Sequence, residues 1–442
     1  MARLFKAYSL CCGYRILPGR NNMKLPRFLL IKDVFREGVK PGRFLGVLTF
    51  FGISYGFYRG IQDNYLADVL KVTAFERGII EFFRETPGLL VVLILAWMYR
   101  FTEVRIFKIG IGFMVAGLAG LLVVALPSWN SPGNALPLVV IFMVVFSVGE
   151  HVIMPVRATI SLNMAAKGKE GTILGVTGAI GQVGNIVGFV VVTGFFAIVT
   201  RLGYSRTDVF PFRIIFAVSL SLMLAAFFTV LALEESGTKA KRRRFYFARK
   251  FTKFYMLEVF YGARKQIFIT FAPFVLIRYY GAPTSIISLL LGICAVFGTI
   301  FSPFVGKLID KLGYKFIMVT DTLLLVVVCI LYGFAHRLFP QNIAFWVVCI
   351  NYVLDSIISM ASMASNVYVR SIASSQEEVT ATLSTGVSVN HVISILIALL
   401  GGYIWDRVGI EALFTLSAVL GIINSIYAAT IKKSEEYHPE VS

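Results

Sequence analysis

Charged residues are scarce in this chain of 442 residues, because Asp, Glu, Lys and Arg together make up 15% of it and hydrophobic residues make up 57%. A soluble globular domain carries about 25% charged residues, and a disordered chain needs low hydrophobicity. Both classes are therefore excluded for the bulk of the sequence. The mean hydropathy of +0.78 indicates a polytopic membrane protein, since each helical span needs roughly 20 apolar residues.

Cysteine is also rare and is not arranged for metal or disulfide chemistry. The five cysteines form no CxxC pair, and Cys294, Cys329 and Cys349 lie inside apolar runs. A zinc site or a disulfide framework is therefore not expected, and no cofactor or metal is predicted. A Walker phosphate-binding motif is missing as well, so ATP is not the direct energy source of this protein.

Long apolar runs, in contrast, are abundant and predict an all-α integral membrane protein with 12 transmembrane helices. The first six are expected near 44–66, 78–99, 106–126, 136–158, 172–199 and 211–233. The second six are expected near 254–277, 285–306, 315–335, 342–369, 379–404 and 411–431. The predicted domains are a basic segment 1–43, a bundle 44–233, a basic linker 234–253, a bundle 254–431 and a tail 432–442.

The net charge of +18 comes from basic residues between the apolar runs. Membrane topology explains this excess better than nucleic acid, so no nucleic-acid partner is expected. The positive-inside rule predicts a multi-pass protein of the cell membrane with both termini in the cytoplasm. Met23 competes with Met1 as the true start, and the residues from Met23 to Arg43 suit a short amphipathic helix on the membrane surface.

The two halves of the chain resemble each other at an offset of about 207 residues. Arg100 after the second span corresponds to Lys307 after the eighth, and Gln182 in the fifth span corresponds to Asn390 in the eleventh. A shared offset for separate matches predicts a duplication of six plus six helices in two pseudo-symmetric six-helix bundles. That arrangement is typical of secondary transporters.

The stretch 306–315, which reads GKLIDKLGYK, resembles the signature loop of the major facilitator superfamily. The first-half copy is degenerate, because it lacks both glycines and has Glu103 in place of the aspartate. The resemblance implies two bundles that rock around a central cavity, with this loop as a latch of the cytoplasmic gate. The gating residues it implies are Gly306, Lys307, Asp310 and Lys311, with Arg100 and Glu103 in the first half.

Ionisable side chains inside the spans are costly in lipid and mark function by default. Arg59 lies in the first span, and Arg264 and Lys265 lie in the seventh. The resemblance implies that these two spans line the central cavity, where desolvated cations favour an anionic group on the substrate. Further substrate contacts are predicted for Asp63, Tyr261, Gln182, Asn351 and Asn390.

Four further ionisable groups are candidates to carry protons. Asp355 is a lone carboxylate near the middle of the tenth span and must be paired or protonated there. Glu150 is its counterpart in the first half, and Glu258 and His391 complete the set. The alternative is that Glu258 and Asp355 only neutralise the cations Arg59 and Arg264. Sodium is the alternative to the proton as the coupling ion.

Other charges in the spans have simpler interpretations. Glu81, Arg84 and Glu85 in the second span are expected to form ion pairs between helices, with Arg59 as the partner of a glutamate. Asp321 is placed near a membrane interface, where snorkelling explains a charge.

The fifth predicted span holds closely spaced glycines. Small residues let helices approach closely in a membrane, so this row is predicted to pack against another helix. Drug–proton antiporters of the resembled superfamily carry a Gly-Pro signature in this span, and its lack of proline counts against that subclass. The glycines of the row are Gly175, Gly178, Gly181, Gly184 and Gly188.

The sequence therefore predicts a secondary active transporter, not an enzyme, that moves a small polar or anionic organic solute and is coupled to protons. An efflux permease for amphipathic drugs or lipids is the alternative within transport. An integral-membrane transferase is the alternative of another class, but His151, His336 and His391 are expected at different depths rather than in one cluster. The expected partners are the solute, protons or sodium, and membrane lipids, with the chain acting as a monomer.

Overall fold

The computed structural model describes residues 31–126, 132–234 and 246–431, which are helical apart from connecting turns. The predictions for Met23, for most of the basic segments and for the tail lie outside these residues. The helices of the first half are α1 (Gly42–Asn64), α2 (Ala74–Trp97), α3 (Glu103–Val124), α4 (Pro132–Asn163), α5 (Glu170–Arg201) and α6 (Val209–Leu231). Those of the second half are α7 (Thr252–Arg278), α8 (Thr284–Leu312), α9 (Tyr314–Leu338), α10 (Gln341–Ile372), α11 (Gln376–Arg407) and α12 (Ile410–Ala429).

Ten of the helices in the described residues are long and apolar enough to cross a membrane. The two long helices outside this group are α2 and α7, which are the helices with several charges in their interior. The chain is therefore a multi-pass helical membrane protein. Several of the charges inside α2 and α7 belong to the candidate site described below.

Local sequence signals explain where several helices begin and end. Thr73 and Glu76 form a capping box at the start of α2, which satisfies two backbone N–H groups reciprocally. Thr102 caps α3 by accepting a hydrogen bond from the backbone of Arg105. After α8 the chain turns at Gly313, whose φ of +83° is strained for any residue with a side chain.

The helices pack mainly within each half, and two helix pairs make the most extensive contacts between the halves. In the first half α1 packs against α5 and α6, and in the second half α9 packs against α12. Between the halves, α2 lies along α11 and α5 lies along α8. The counterpart of α2 in the second half is α8, and the counterpart of α11 in the first half is α5. The two pairs therefore correspond to each other, as a twofold relation between the halves requires.

Glycines explain how closely α1 and α5 approach each other. A side chain at Gly184 or Gly188 would overlap the backbone of α1 around Gly52 and Gly56. The predicted packing role is thus confirmed for this part of the row. Gly178, one to two turns earlier, faces open space, so the close contact of α5 is confined to its middle.

The two halves are held together at one face, where α1 ends and α2 begins; we call it the closed face. There the Asn64 side chain donates a hydrogen bond to the Ala282 carbonyl (3.1 Å). Arg206 donates to the Gly281 carbonyl (2.6 Å) and forms an ion pair with Asp68 (2.7 Å). These bonds link the connections of the first half directly to the turn between α7 and α8.

Candidate functional site

A row of buried, paired charges runs along α2; we call it the α2 ion-pair chain. Arg77 donates to Asp63 (3.2 Å) on α1 and to Glu81 (2.6 Å) one turn further along α2. Arg84 Nε donates to Glu81 (3.0 Å), and Arg84 Nη2 donates to Glu85. Because the side chains of Arg77 and Glu81 are fully buried, each charge needs the partner beside it.

The α2 ion-pair chain is joined to the second half near the middle of the membrane-spanning helices. Gln266 on α7 donates to Glu81 (3.3 Å). His391 Nδ1 on α11 lies 3.0 Å from Glu85 Oε2, and the ring of His151 on α4 lies 5.2 Å from the ring of His391. The prediction that the histidines lie at different depths is therefore wrong for this pair, because α2 brings α4 and α11 together.

Arg59 and Glu150 do not pair with the residues that the sequence suggested. Arg59 is half-buried and donates to the neutral Gln62 side chain (2.7 Å). The expected ion pair with a glutamate of α2 is not formed, because Arg77 and Arg84 already hold those glutamates. Glu150 accepts a hydrogen bond from Tyr55 (2.6 Å) and lies 3.8 Å from Arg84.

Arg264 is a buried arginine of the second half whose hydrogen bonding is incomplete. Its side chain is 2% exposed and donates to Asp321 (3.2 Å), while its Nε and Nη2 atoms have no partner in the described residues. Snorkelling is thus the wrong account of Asp321, which pairs inside the bundle. The expected neutralisation of Arg264 by Glu258 or Asp355 is also not formed. Asp355 is half-buried and without a hydrogen-bond partner among the described residues, although Arg264 is its main electrostatic neighbour.

Among the described residues, Glu258 is bonded to neutral side chains only. Ser365 donates to one carboxylate oxygen (3.2 Å) and Asn390 to the other (3.3 Å). Lys265 is half-buried two turns further along α7 and influences Glu258 electrostatically without bonding it. Asn390 therefore positions Glu258 in this conformation.

Of three further predicted polar contacts, two bond within their own helix and one reaches a neighbouring helix. Gln182 accepts a hydrogen bond from Asn185 (3.4 Å) on the same helix. Asn351 donates to the Val347 carbonyl (2.7 Å), which leaves its side-chain oxygen buried without a partner. The Tyr261 hydroxyl lies 3.5 Å from a backbone carbonyl of α10. These side chains are placed by their helices and are not drawn into the α2 ion-pair chain.

The predicted gating stretch has a different local structure from the one expected. α8 continues through Gly306 and Asp310 to Leu312, and the turn falls at Gly313. Gly306 and Asp310 therefore lie within a helix rather than in a loop. Lys307, Asp310 and Lys311 are exposed on the last turns of α8.

The first-half counterpart is a true helix start. Thr102 caps α3, and Glu103 is buried in its first turn with 3% exposure. Arg100 bonds the Tyr99 hydroxyl (2.8 Å) and lies over that ring. An acidic residue in the first turn is favoured by the helix dipole, which gives Glu103 a structural role in α3.

Arg77 is the member of the site that sequence analysis missed. Arg77 lies one residue before the predicted start of the second span and is therefore outside that span. Thr73 and Glu76 have capping-box spacing, which would have moved the helix start to the N-terminal side of Arg77. The spacing of four residues between Arg77 and Glu81 then places both on one helix face.

The described residues thus form a multi-pass helical membrane protein whose halves meet around buried charges. Residues 254–441 match the family model of the Major Facilitator Superfamily. No curated protein matches the chain in sequence.

Solved structures with this fold include transporters. A bacterial homologue of the iron transporter ferroportin in an inward-facing state has a TM-score of 0.69 at 12% identity, over 88% of this chain and 97% of that one. A D-xylose–proton symporter has a TM-score of 0.67 at 13% identity, over 88% of this chain and 96% of that one. The nucleoside transporter NupG has a TM-score of 0.65 at 14% identity, over 89% of this chain and 98% of that one. The resemblance to the major facilitator superfamily is confirmed, and the subfamily is not identified.

Proposed function

We propose that the protein is a secondary active transporter of a small polar or anionic organic solute, driven by protons. It works by alternating access between two bundles of six spans in a cell membrane, as a monomer with both termini in the cytoplasm. The family match of the second half and the shared fold support this class. A nucleoside transporter and a xylose–proton symporter among the similar structures support a small polar solute.

The observation that carries the proposed solute class is the incomplete bonding of Arg264. A buried guanidinium with two unpaired nitrogen atoms bears a desolvation cost that a ligand carboxylate or phosphate would relieve. Arg59 and Lys265 are half-buried and form no ion pair among the described residues. We assign the binding of the solute's anionic group to these three cations.

The proton-coupling role is assigned to Asp355 and Glu258. Neither carboxylate is bonded to a cation among the described residues, whereas arginines hold Glu81 and Glu85 in their charged forms. A carboxylate inside the membrane without a bonded cation gains most from taking up a proton. Glu150 and His391 have charged or strongly bonded neighbours, so they are weaker carriers in this conformation.

The test is thermal stabilisation of the purified protein by a panel of anions, sugars, cations, lipids and amphipathic compounds. A ligand at 100 times its Kd adds about 2.7 kcal/mol to the free energy of unfolding. We expect organic anions to stabilise the protein and Arg264→Ala to lose this response. Arg278→Ala, an exposed position at the end of the same helix, is the control and should respond normally. Stabilisation by amphipathic compounds alone, unchanged in Arg264→Ala, would instead support efflux.

A further inference from the structure

Three potential metal ligands meet where α2, α4 and α11 cross. The carboxylate of Glu85 and the imidazoles of His151 and His391 offer ligand atoms that all lie within 4.8 Å of one another. The chain has only four histidines, and two of them face each other here with a ring separation of 5.2 Å. Glu85 and His151 belong to the first half and His391 to the second, so the cluster spans the two halves.

His151 is oriented as metal-binding histidines usually are. Its Nδ1 atom lies 2.9 Å from the backbone carbonyl of Ser147. The Ser147 hydroxyl also lies 3.0 Å from Nδ1, but its proton is donated to the carbonyl of Arg84. Nδ1 therefore carries the proton and donates it to the Ser147 carbonyl. The lone pair is then on Nε2. A carbonyl that fixes the tautomer in this way is the usual outer partner of a metal-bound histidine.

Gly88 makes the room for the two imidazoles. A side-chain carbon at this position would lie 2.6 Å from His391 Cε1 and 2.7 Å from His151 Nε2. Both rings therefore pack directly against the backbone of α2. A glycine inside a helix costs about 1 kcal/mol relative to alanine, and here it allows His151 Nε2 and the His391 ring to approach the same space.

The two carboxylate oxygens of Glu85 have different partners. Arg84 holds Oε1, and Oε2 lies 3.0 Å from His391 Nδ1. Metal–nitrogen and metal–oxygen bonds of about 2.0–2.2 Å suit an ion that replaces the proton between these two atoms. The charged side chains near the three ligands favour a cation, because four carboxylates outnumber three arginines. The carboxylates are those of Asp63, Glu81, Glu85 and Glu150, and the arginines are Arg59, Arg77 and Arg84.

We propose that Glu85, His151 and His391 bind one divalent first-row transition-metal ion between the two halves of the protein. Two imidazoles and one carboxylate are a donor set of zinc and non-haem iron sites. At this site His391 is a metal ligand rather than a proton carrier. Since the ligands come from both halves, the bound ion stabilises the arrangement in which the closed face is shut.

The experiment measures binding of Co²⁺ and Cu²⁺ to the full-length protein after its purification tag has been removed. We expect one Co²⁺ per chain by equilibrium dialysis, with visible absorption bands. Electron spin echo modulation of bound Cu²⁺ should show two imidazole ligands. His151→Gln and His391→Gln should each weaken binding about tenfold or more. His336→Gln and His438→Gln are the matched controls and should bind as the wild type does.

The wild-type measurements decide the proposal even where a variant fails to fold. Absence of stoichiometric Co²⁺ binding, or a Cu²⁺ spectrum without imidazole, would overturn it. Folded His151→Gln and His391→Gln proteins that bind Co²⁺ with unchanged affinity would do the same. The assay contains no solute, so its failure leaves the proposed transport function untouched, and failure of the anion panel leaves the metal site untouched.

Discussion

At the scale of single residues, the buried charges fall into two groups with different chemistry. In the α2 ion-pair chain each arginine contacts two carboxylates, as Arg77 does with Asp63 and Glu81. Such paired charges are strongly destabilising when one partner is removed, so they stabilise one packing of the helices. Asp355 has no bonded partner among the described residues, and its charge can change without leaving another charge uncompensated.

This difference leads to a prediction for Asp355→Asn. The variant should lose proton-driven accumulation of the solute, since the amide cannot take up and release a proton. Counterflow, which exchanges solute for solute, should continue because it needs no net proton movement. Both rates are measured in proteoliposomes with the solute identified by the stability panel. Glu377→Gln, an exposed position at the start of α11, is the control. Loss of both activities, or of neither, would count against the coupling role.

At the scale of helices, the sequence predicted elements better than it predicted their contacts. Apolar run length places the described helices close to their observed bounds, and the glycine row predicted that α5 packs closely against another helix. The partners of charged residues were mostly missed, because pairing depends on which helices meet. Arg264 and Asp321 are 57 positions apart, and Glu85 and His391 are 306 apart. Spacing along one helix carries no signal for such distant pairs.

Helix packing leads to a prediction for the glycines of α5. At Gly188 an added methyl group would lie 2.7 Å from the Ile53 carbonyl oxygen and 2.8 Å from the Gly56 backbone. Backbone atoms cannot give way cheaply, so Gly188→Ala should destabilise the protein by about 1–3 kcal/mol. Gly178→Ala meets nothing within 4 Å and should leave stability unchanged or slightly raised. Thermal unfolding of both purified variants measures this, and equal melting temperatures would refute the packing role.

At the scale of the whole molecule, the hydrogen bonds that join the halves favour one conformation. Asn64 and Ala282 bond across the closed face, and His391 contacts Glu85 deeper in the bundle. Toward the opposite face, Gly178 of α5 and Gly306 of α8 border open space. The alternating access proposed for this protein would require the bonds of the closed face to break.

A reversible cross-link tests this requirement. Asn64→Cys and Ala282→Cys, introduced together in a background without other cysteines, should join under oxidation with a short thiol reagent and stop transport. A reducing agent should restore it. The control pair is His336→Cys and Glu411→Cys, which replaces a contact of 3.1 Å inside the second half. The proposed mechanism moves each half as a body, so this cross-link should leave transport intact. Undiminished solute flux with the 64–282 link fully formed would show that the closed face does not open during transport.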